Sequence, residues 1–153
     1  MPYYFHFMGK TELQQWPLFN IFFKGMNIPL NRTSVSGMKK AFIRAEDDID
    51  EGIGICIFPE GTIPSTTPKL DKFKNGPFKL AIDKQVPVVP ITFIDGWKLL
   101  PDGIHAKKGG RPGIVKIFIH KPIETTDFTQ KDLPYLREQV FKIISEKLRE
   151  HGN

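Results

Sequence analysis

The sequence predicts an α/β protein with a mostly parallel central sheet flanked by helices. Apolar runs that read as strands begin near residues 53, 86 and 114, and segments with helical spacing of apolar residues alternate with them. Parallel neighbours in a sheet need crossover connections, and these are usually helices. The alternation of strands and helices therefore favours the α/β class.

Helices are predicted where apolar residues recur at three- and four-residue spacing. One of them has recognisable ends, because Ser34 or Ser36 could cap its start and Gly52 stops it. Its last turns are acidic, which is unfavourable against the helix dipole, and exposure to solvent is our only explanation. The predicted helices cover residues 10–24, 34–51, 77–85 and 132–150.

Strands are predicted at 28–30, 53–58, 86–94 and 114–120. The 53–58 run is apolar throughout and reads as a buried strand, in which Cys56 is predicted to be a small core residue. A single cysteine excludes a disulfide within the chain, which favours a reducing compartment. Residues 101–113 mix glycine and proline with Lys107, Lys108 and Arg111, and this composition predicts a mobile basic loop.

The most informative pattern follows the 53–58 strand. The sequence Phe-Pro-Glu-Gly-Thr occupies residues 58–62, and Lys74-Asn75-Gly76 comes twelve residues after Thr62. A carboxylate, a glycine and a hydroxyl at a strand end, with lysines just beyond, suit an anionic ligand. Since ligands of parallel sheets bind outside the carboxyl ends of the strands, we expect Glu60 and Arg32 to lie at such an end.

The order of these blocks resembles the PlsC-type glycerolipid acyltransferases, the lysophosphatidate acyltransferase group. The residues that carry the resemblance are FPEGT at 58–62, LDKFKNG at 70–76, VPVVPITF at 86–93 and GMNIPLNR at 25–32, within about residues 5–124. The resemblance implies a glycerol-3-phosphate acyltransferase-like fold. It also implies transfer of a fatty acyl group from acyl-CoA or acyl carrier protein, as co-substrate, to the free hydroxyl of a lysophosphatidate-like acceptor. No other cofactor and no metal is implied.

The family's first block, His-x-x-x-x-Asp, has no counterpart here. None of the four histidines is followed by aspartate at the fifth position, and His6 lies in the wrong place to replace the missing base. In the family, the histidine is the general base and the aspartate orients it. We therefore expect a single, N-terminally incomplete acyltransferase-like domain over 1–153 that begins after this block. No catalytic residue is assigned, and the chain should be inactive alone.

The resemblance implies two sets of binding residues. Arg32 would clamp a phosphate, because a guanidinium binds phosphate oxygens in a bidentate way. Glu60 would anchor its loop, bind the acceptor or orient Arg32, and each of these residues could instead have an ordinary structural role. The predicted phosphate-binding residues are Arg32, Glu60, Gly61, Thr62 and Lys74, and the predicted cleft-lining residues are Gly25, Phe58, Pro59, Pro87 and Pro90. The chain has Ile63 where the family commonly has arginine.

The net charge of +5 is localised between Lys98 and Lys121, where six basic residues face one acidic residue. A basic surface can meet phosphate on lipid headgroups, coenzyme A, acyl carrier protein or nucleic acid. Nucleic acid is not expected as a partner, because no known binding motif is present and the basic loop lacks interleaved aromatic residues. The expected partners are the acyl donor, a lysophospholipid acceptor and a membrane surface, with the chain associated with the cytoplasmic face of a membrane.

No stretch reaches the roughly 18 apolar residues of a spanning helix. Trp16 and the early phenylalanines could rest on a bilayer surface or belong to the core. The alternative to an enzyme is a non-catalytic module that keeps the phosphate and lipid groove but has no base. The sequence upstream of Met1 would decide between the two, since an in-frame His-x-x-x-x-Asp there would indicate an enzyme.

Overall fold

The computed structural model describes residues 4–10, 27–31, 34–62, 67, 69–99 and 109–152. The chain divides into two compact units, Met1–Phe58 and Pro59–Asn153. That these units form one domain stays a prediction. The helix predicted at 10–24 falls outside the described residues, except that Lys10 ends a strand.

The first unit contains a parallel three-stranded sheet. Its strands are β1 (Phe5–Lys10), β2 (Asn27–Leu30) and β3 (Gly54–Ile57), in the order β2–β1–β3. The predicted parallel sheet is confirmed. β1 was not among the predicted strands. β3 was predicted to be buried, but it is half-buried, since it lies at the edge of the described sheet, where it pairs with β1.

The helix α1 (Val35–Asp50) connects β2 to β3, as the crossover argument requires. The Ser34 hydroxyl accepts a hydrogen bond from the Gly37 N–H at 3.2 Å, which confirms the predicted cap. Gly52 has φ +81°, a conformation that ends the helix and suits glycine. The explanation of the acidic end by solvent exposure is wrong for Asp48, whose side chain is buried and paired.

The second unit is built around its last helix. The helices are α2 (Gly76–Lys84), α3 (Gly96–Leu99) and α4 (Leu133–Glu150), with a 3-10 turn at Gln130–Asp132 before α4. α2 and α4 confirm the helices predicted at 77–85 and 132–150. Their facing apolar residues form the core of this unit. That core consists of Phe73, Phe78, Ile82, Leu133, Leu136, Val140 and Ile144.

The strands β4 (Ile91–Ile94) and β5 (Lys116–Ile119) are shorter than predicted, and they pair antiparallel. The expectation that they continue a parallel pattern is therefore wrong for this pair. The physical reason lies in the connection, because the described part between them contains only the four-residue α3 and no crossover helix. One face of the pair carries exposed apolar residues, which are Phe93, Ile117 and Ile119.

Among the helices of the described residues, none is both long enough and apolar enough to cross a membrane.

Candidate phosphate-binding site

Two loops that the sequence singled out lie against each other at the start of the second unit. The backbone N–H of Lys74 donates to the carbonyl of Pro59 at 2.8 Å. The backbone N–H of Asp71 donates to the Glu60 carboxylate, also at 2.8 Å. The structure thus brings Glu60 and Lys74, separated by fourteen positions in the sequence, into one local arrangement.

Glu60 acts as an anchor between these loops. Its side chain is half-buried, and burial raises the pKa of the carboxyl, with a further rise from the negative charge of Asp71. The bond from the Asp71 N–H acts in the opposite direction, because it stabilises the ionised form. Of the roles considered for Glu60 in the sequence, the geometry supports the loop anchor.

Gly61 allows the backbone to turn beside the lysine. It has φ +74°, where residues with a Cβ are strained. A Cβ at this position would lie 3.5 Å from Cγ of Lys74 and 3.8 Å from its Cε, so the lysine stem runs along the glycine. Thr62 follows with an exposed side chain. An anion near Gly61 would therefore meet backbone, a hydroxyl and an ammonium group.

Lys74 follows the buried aromatic residue Phe73 in the chain. Phe73 belongs to the core, where its ring stacks on Phe78 at 6.3 Å and meets Phe141 edge-on at 5.1 Å. Lys72 and Lys74 on either side are exposed. The buried ring fixes the backbone on both sides, and of the two lysines it is Lys74 whose stem runs along Gly61.

The loop passes directly into α2, whose N-terminus lies next to Lys74 in the chain. Asn75 occupies the cap position, but its side chain makes no capping bond. Instead, its Oδ1 accepts a hydrogen bond from Nη1 of Arg137 on α4 at 2.6 Å. The partial positive charge at the start of a helix adds to that of Lys74. Asn75 and Arg137 were not among the predicted site residues.

The structure describes only some of the other predicted site residues. Arg32 and Gly25 lie outside the described residues. Phe58 is exposed. Pro87 is exposed and Pro90 is buried, where its carbonyl accepts the His120 N–H at 3.0 Å. That these residues line a cleft stays a prediction.

A histidine–aspartate pair does exist in the first unit, although not as His-x-x-x-x-Asp. Nδ1 of His6 lies 2.7 Å from Oδ2 of Asp48, and Arg44 Nε donates to Oδ1 at 2.8 Å. Burial opposes ionisation of Asp48, but the bonds from Arg44 and His6 outweigh it and lower the pKa of the carboxyl. His6 is the second residue of β1, away from the carboxyl end where ligands of parallel sheets bind. The pair fastens β1 to α1.

The remaining reactive groups give no further site. Burial raises the pKa of the Cys56 thiol, as suits a structural cysteine. Within the described ranges, no group of three or more histidine, cysteine or acidic side chains could hold a metal ion. The segment 59–76 contains no histidine and so offers no imidazole base of its own.

The fold thus defines an α/β protein in which Lys74 lies beside Gly61, and that these residues bind an anion stays a prediction. A sequence profile described as Acyltransferase matches residues 1–94. The chain belongs to this acyltransferase family, and the resemblance to its PlsC-type members is confirmed.

Two individual relatives are consistent with this family assignment. A 1-acyl-sn-glycerol-3-phosphate acyltransferase of Chlamydomonas reinhardtii is 34% identical over 121 residues, which cover 78% of this chain and 35% of that protein. A probable 1-acyl-sn-glycerol-3-phosphate acyltransferase of Mycoplasma pneumoniae is 26% identical over 144 residues, or 92% of this chain and 54% of that protein.

A solved structure gives the same result at the level of the fold. It is the crystal structure of the 1-acyl-sn-glycerophosphate (LPA) acyltransferase, PlsC, from Thermotoga maritima. That structure matches with a TM-score of 0.73 and 25% identity, over 97% of this chain and 57% of its own. The chain therefore spans between about a third and somewhat over half of the length of these relatives.

Proposed function

We propose that this chain supplies the phosphate-binding part of a glycerolipid acyltransferase. The reaction is transfer of a fatty acyl group from acyl-CoA or acyl carrier protein to the free hydroxyl of a lysophosphatidate-like acceptor. The observation that carries the proposal is the junction of two family blocks, in which Gly61 lies along the stem of Lys74. Family membership and the names of the relatives support it.

Each residue of the site has a distinct role in this proposal. Lys74 and the first turn of α2 attract the acceptor's phosphate, because a charged donor and a helix N-terminus both favour an anion. Gly61 lets the phosphate approach the backbone, Thr62 offers a hydroxyl, and Glu60 holds the two loops together. Arg32 stays a predicted phosphate clamp on the strength of the resemblance.

The chain alone should not catalyse the transfer. Deprotonation of the acceptor hydroxyl needs a base, and loss of general-base assistance costs about 10²–10⁴-fold in rate. No His-x-x-x-x-Asp occurs in these 153 residues. The same observation is compatible with the second candidate, a non-catalytic lipid- and phosphate-binding module. Both candidates place the chain at a membrane surface, on the cytoplasmic face.

A binding experiment with matched lipids tests the phosphate site. The probes are a short-chain lysophosphatidate, below its micelle concentration, and the monoacylglycerol that lacks only the phosphate. A charge-assisted contact contributes about 1.5–3 kcal/mol, so the parent chain should prefer lysophosphatidate by about tenfold to a hundredfold. Lys74→Gln should remove most of this preference. Lys72→Gln is the control, because it removes an equal charge on the other side of Phe73.

Equal affinity of the parent chain for the two lipids would refute the phosphate site. Activity is measured separately, with labelled acyl-CoA and lysophosphatidate. Turnover at ordinary enzyme rates would contradict the expectation that a base is missing.

A further inference from the structure

The C-terminal helix α4 holds the lysine loop at two points. The Phe141 ring packs against Phe73, and the Arg137 guanidinium binds the Asn75 side chain. Residues four apart on a helix lie on the same face, so Arg137 and Phe141 form one contact surface. Their two partners, Phe73 and Asn75, flank Lys74 directly in the sequence. Lys74 is thus held between an apolar contact and a polar one.

The backbone of Lys74 and Asn75 is held by two hydrogen bonds, which leaves the Asn75 side chain to contact Arg137. The N–H of Lys74 is bound to Pro59, and the carbonyl of Asn75 accepts the N–H of Lys79 within α2. The Asn75 side chain would ordinarily turn back to cap α2, as asparagine commonly does at this position. In this structure the Asn75 backbone is in the αR region, its side chain makes no capping bond, and its Oδ1 accepts from Arg137 instead. The Asn75 side chain therefore does not accept from the N–H groups of the first turn of α2.

We infer that Arg137 is a positioning residue for the phosphate site. Through Asn75 it fixes the direction in which Lys74 and the first turn of α2 face the phosphate of the acceptor. This inference rests on the proposed function. Arg137 acts through Asn75, to which it donates one hydrogen bond from Nη1.

Because the contact between Arg137 and Asn75 is exposed, its effect on phosphate binding can be measured apart from its effect on stability. The hydrogen bond between Arg137 and Asn75 lies at the surface. Exposed polar contacts add little to stability, and the core around Phe73 is formed by apolar residues. A loss of phosphate binding without a loss of stability would therefore report on positioning.

The test compares the parent chain with Arg137→Met and Asn75→Ala, alone and combined. Arg149→Met is the matched control, since it removes the same charge at an exposed position on the same helix. The probes are short-chain lysophosphatidate, the corresponding monoacylglycerol and coenzyme A. Urea unfolding of each variant is recorded in parallel.

We expect Arg137→Met to weaken lysophosphatidate binding about tenfold, the effect of ~1.4 kcal/mol. Monoacylglycerol binding and the urea midpoint should stay unchanged. Asn75→Ala should give the same loss, and the double variant should lose no more than either single one, because both changes remove one shared contact. Arg149→Met should behave as the parent does.

The outcomes distinguish this inference from the proposed function. If the parent binds both lipids equally, the phosphate site itself is refuted, and the inference falls with it. If the parent prefers lysophosphatidate and Arg137→Met keeps that preference, only the role of Arg137 is refuted. Equal losses for both lipids, or a lowered urea midpoint, would show a structural role. A loss confined to coenzyme A would assign the loop to the acyl donor and overturn the inference.

Discussion

Replacing Asp48 with alanine should destabilise the Met1–Phe58 unit by about 2–3 kcal/mol, because a carboxylate with two partners is lost from a buried position. Asp48 is only 2% exposed. Its two oxygens accept from different elements, His6 on β1 and Arg44 one turn earlier on α1. The carboxylate therefore connects the sheet to the helix that covers it.

The two partners contribute unequally. The Arg44 side chain is 60% exposed and pairs within one helix, and such pairs stabilise by about 0.3–0.5 kcal/mol. The His6 side chain is 15% exposed, and its 2.7 Å contact joins residues 42 positions apart. A largely buried hydrogen bond to a charged group contributes about 1.5–3 kcal/mol. The His6 contact should thus account for most of the loss.

Urea unfolding followed by circular dichroism provides the measurement. Asp48→Ala should lower the free energy of unfolding by the full amount of about 2–3 kcal/mol. Arg44→Ala should lower it by no more than about 0.5 kcal/mol. Asp48→Asn should fall between them, because its amide oxygen can still accept from His6 while the charge is lost. A cost for Arg44→Ala equal to that for Asp48→Ala would refute the reasoning.

The Asp48 carboxylate also makes the free energy of unfolding depend on pH. The pKa of Asp48 is lowered in the folded state. A group of this kind stabilises the fold above its unfolded pKa of about 3.9, and this contribution is lost as the pH falls through the folded value. The stability difference between the parent and Asp48→Ala should therefore be constant near neutral pH and shrink below about pH 4. A difference that persists unchanged at pH 2–3 would contradict this assignment.

Three further predictions concern other parts of the chain. Thr125 is fully buried and donates to two carbonyl oxygens at the end of α2, so Thr125→Val should cost about 1–3 kcal/mol in urea unfolding. Gly61→Ala should cost about 1–2 kcal/mol because of its positive φ and should also weaken lysophosphatidate binding, whereas Gly52→Ala, with similar strain and open space, should affect stability alone. Replacing the three basic residues of the 101–113 loop by glutamine should lower affinity for anionic vesicles about a hundredfold at low salt, with no effect on neutral vesicles; equal binding of parent and variant would exclude the loop as a membrane contact.

Helical segments could be predicted closely from the sequence, because their apolar spacing and end signals are local. Thus α1, α2 and α4 lie within a residue or two of the expected ranges. β1 could not be recognised, since Phe5 and Phe7 on one side of it stay exposed and no turn signal precedes it. The antiparallel pairing of β4 with β5 was missed because strand direction depends on the path of the connection.

Some residues of the candidate site could likewise be predicted from the sequence, and others could not. Glu60, Gly61 and Lys74 belong to short motifs whose residue types already suggest an anion, and the structure brings these motifs together. Arg137 has no such signal, since it lies 62 positions from its partner Asn75. Contacts of this kind arise only from tertiary packing, and the sequence spacing on α4 merely allows them.

The packing of α4 bears on where the end of the folded domain lies relative to the end of the matched family region. The matched family region ends at residue 94, whereas α4 begins at Leu133. Phe73 and Phe78, inside the matched region, bury their rings against α4, and each such ring contributes about 1.5–3 kcal/mol when buried. A chain cut after residue 94 would keep the four blocks that carry the resemblance and expose these rings to water. The segment matched by the family profile is therefore shorter than the segment whose apolar residues pack together in this core.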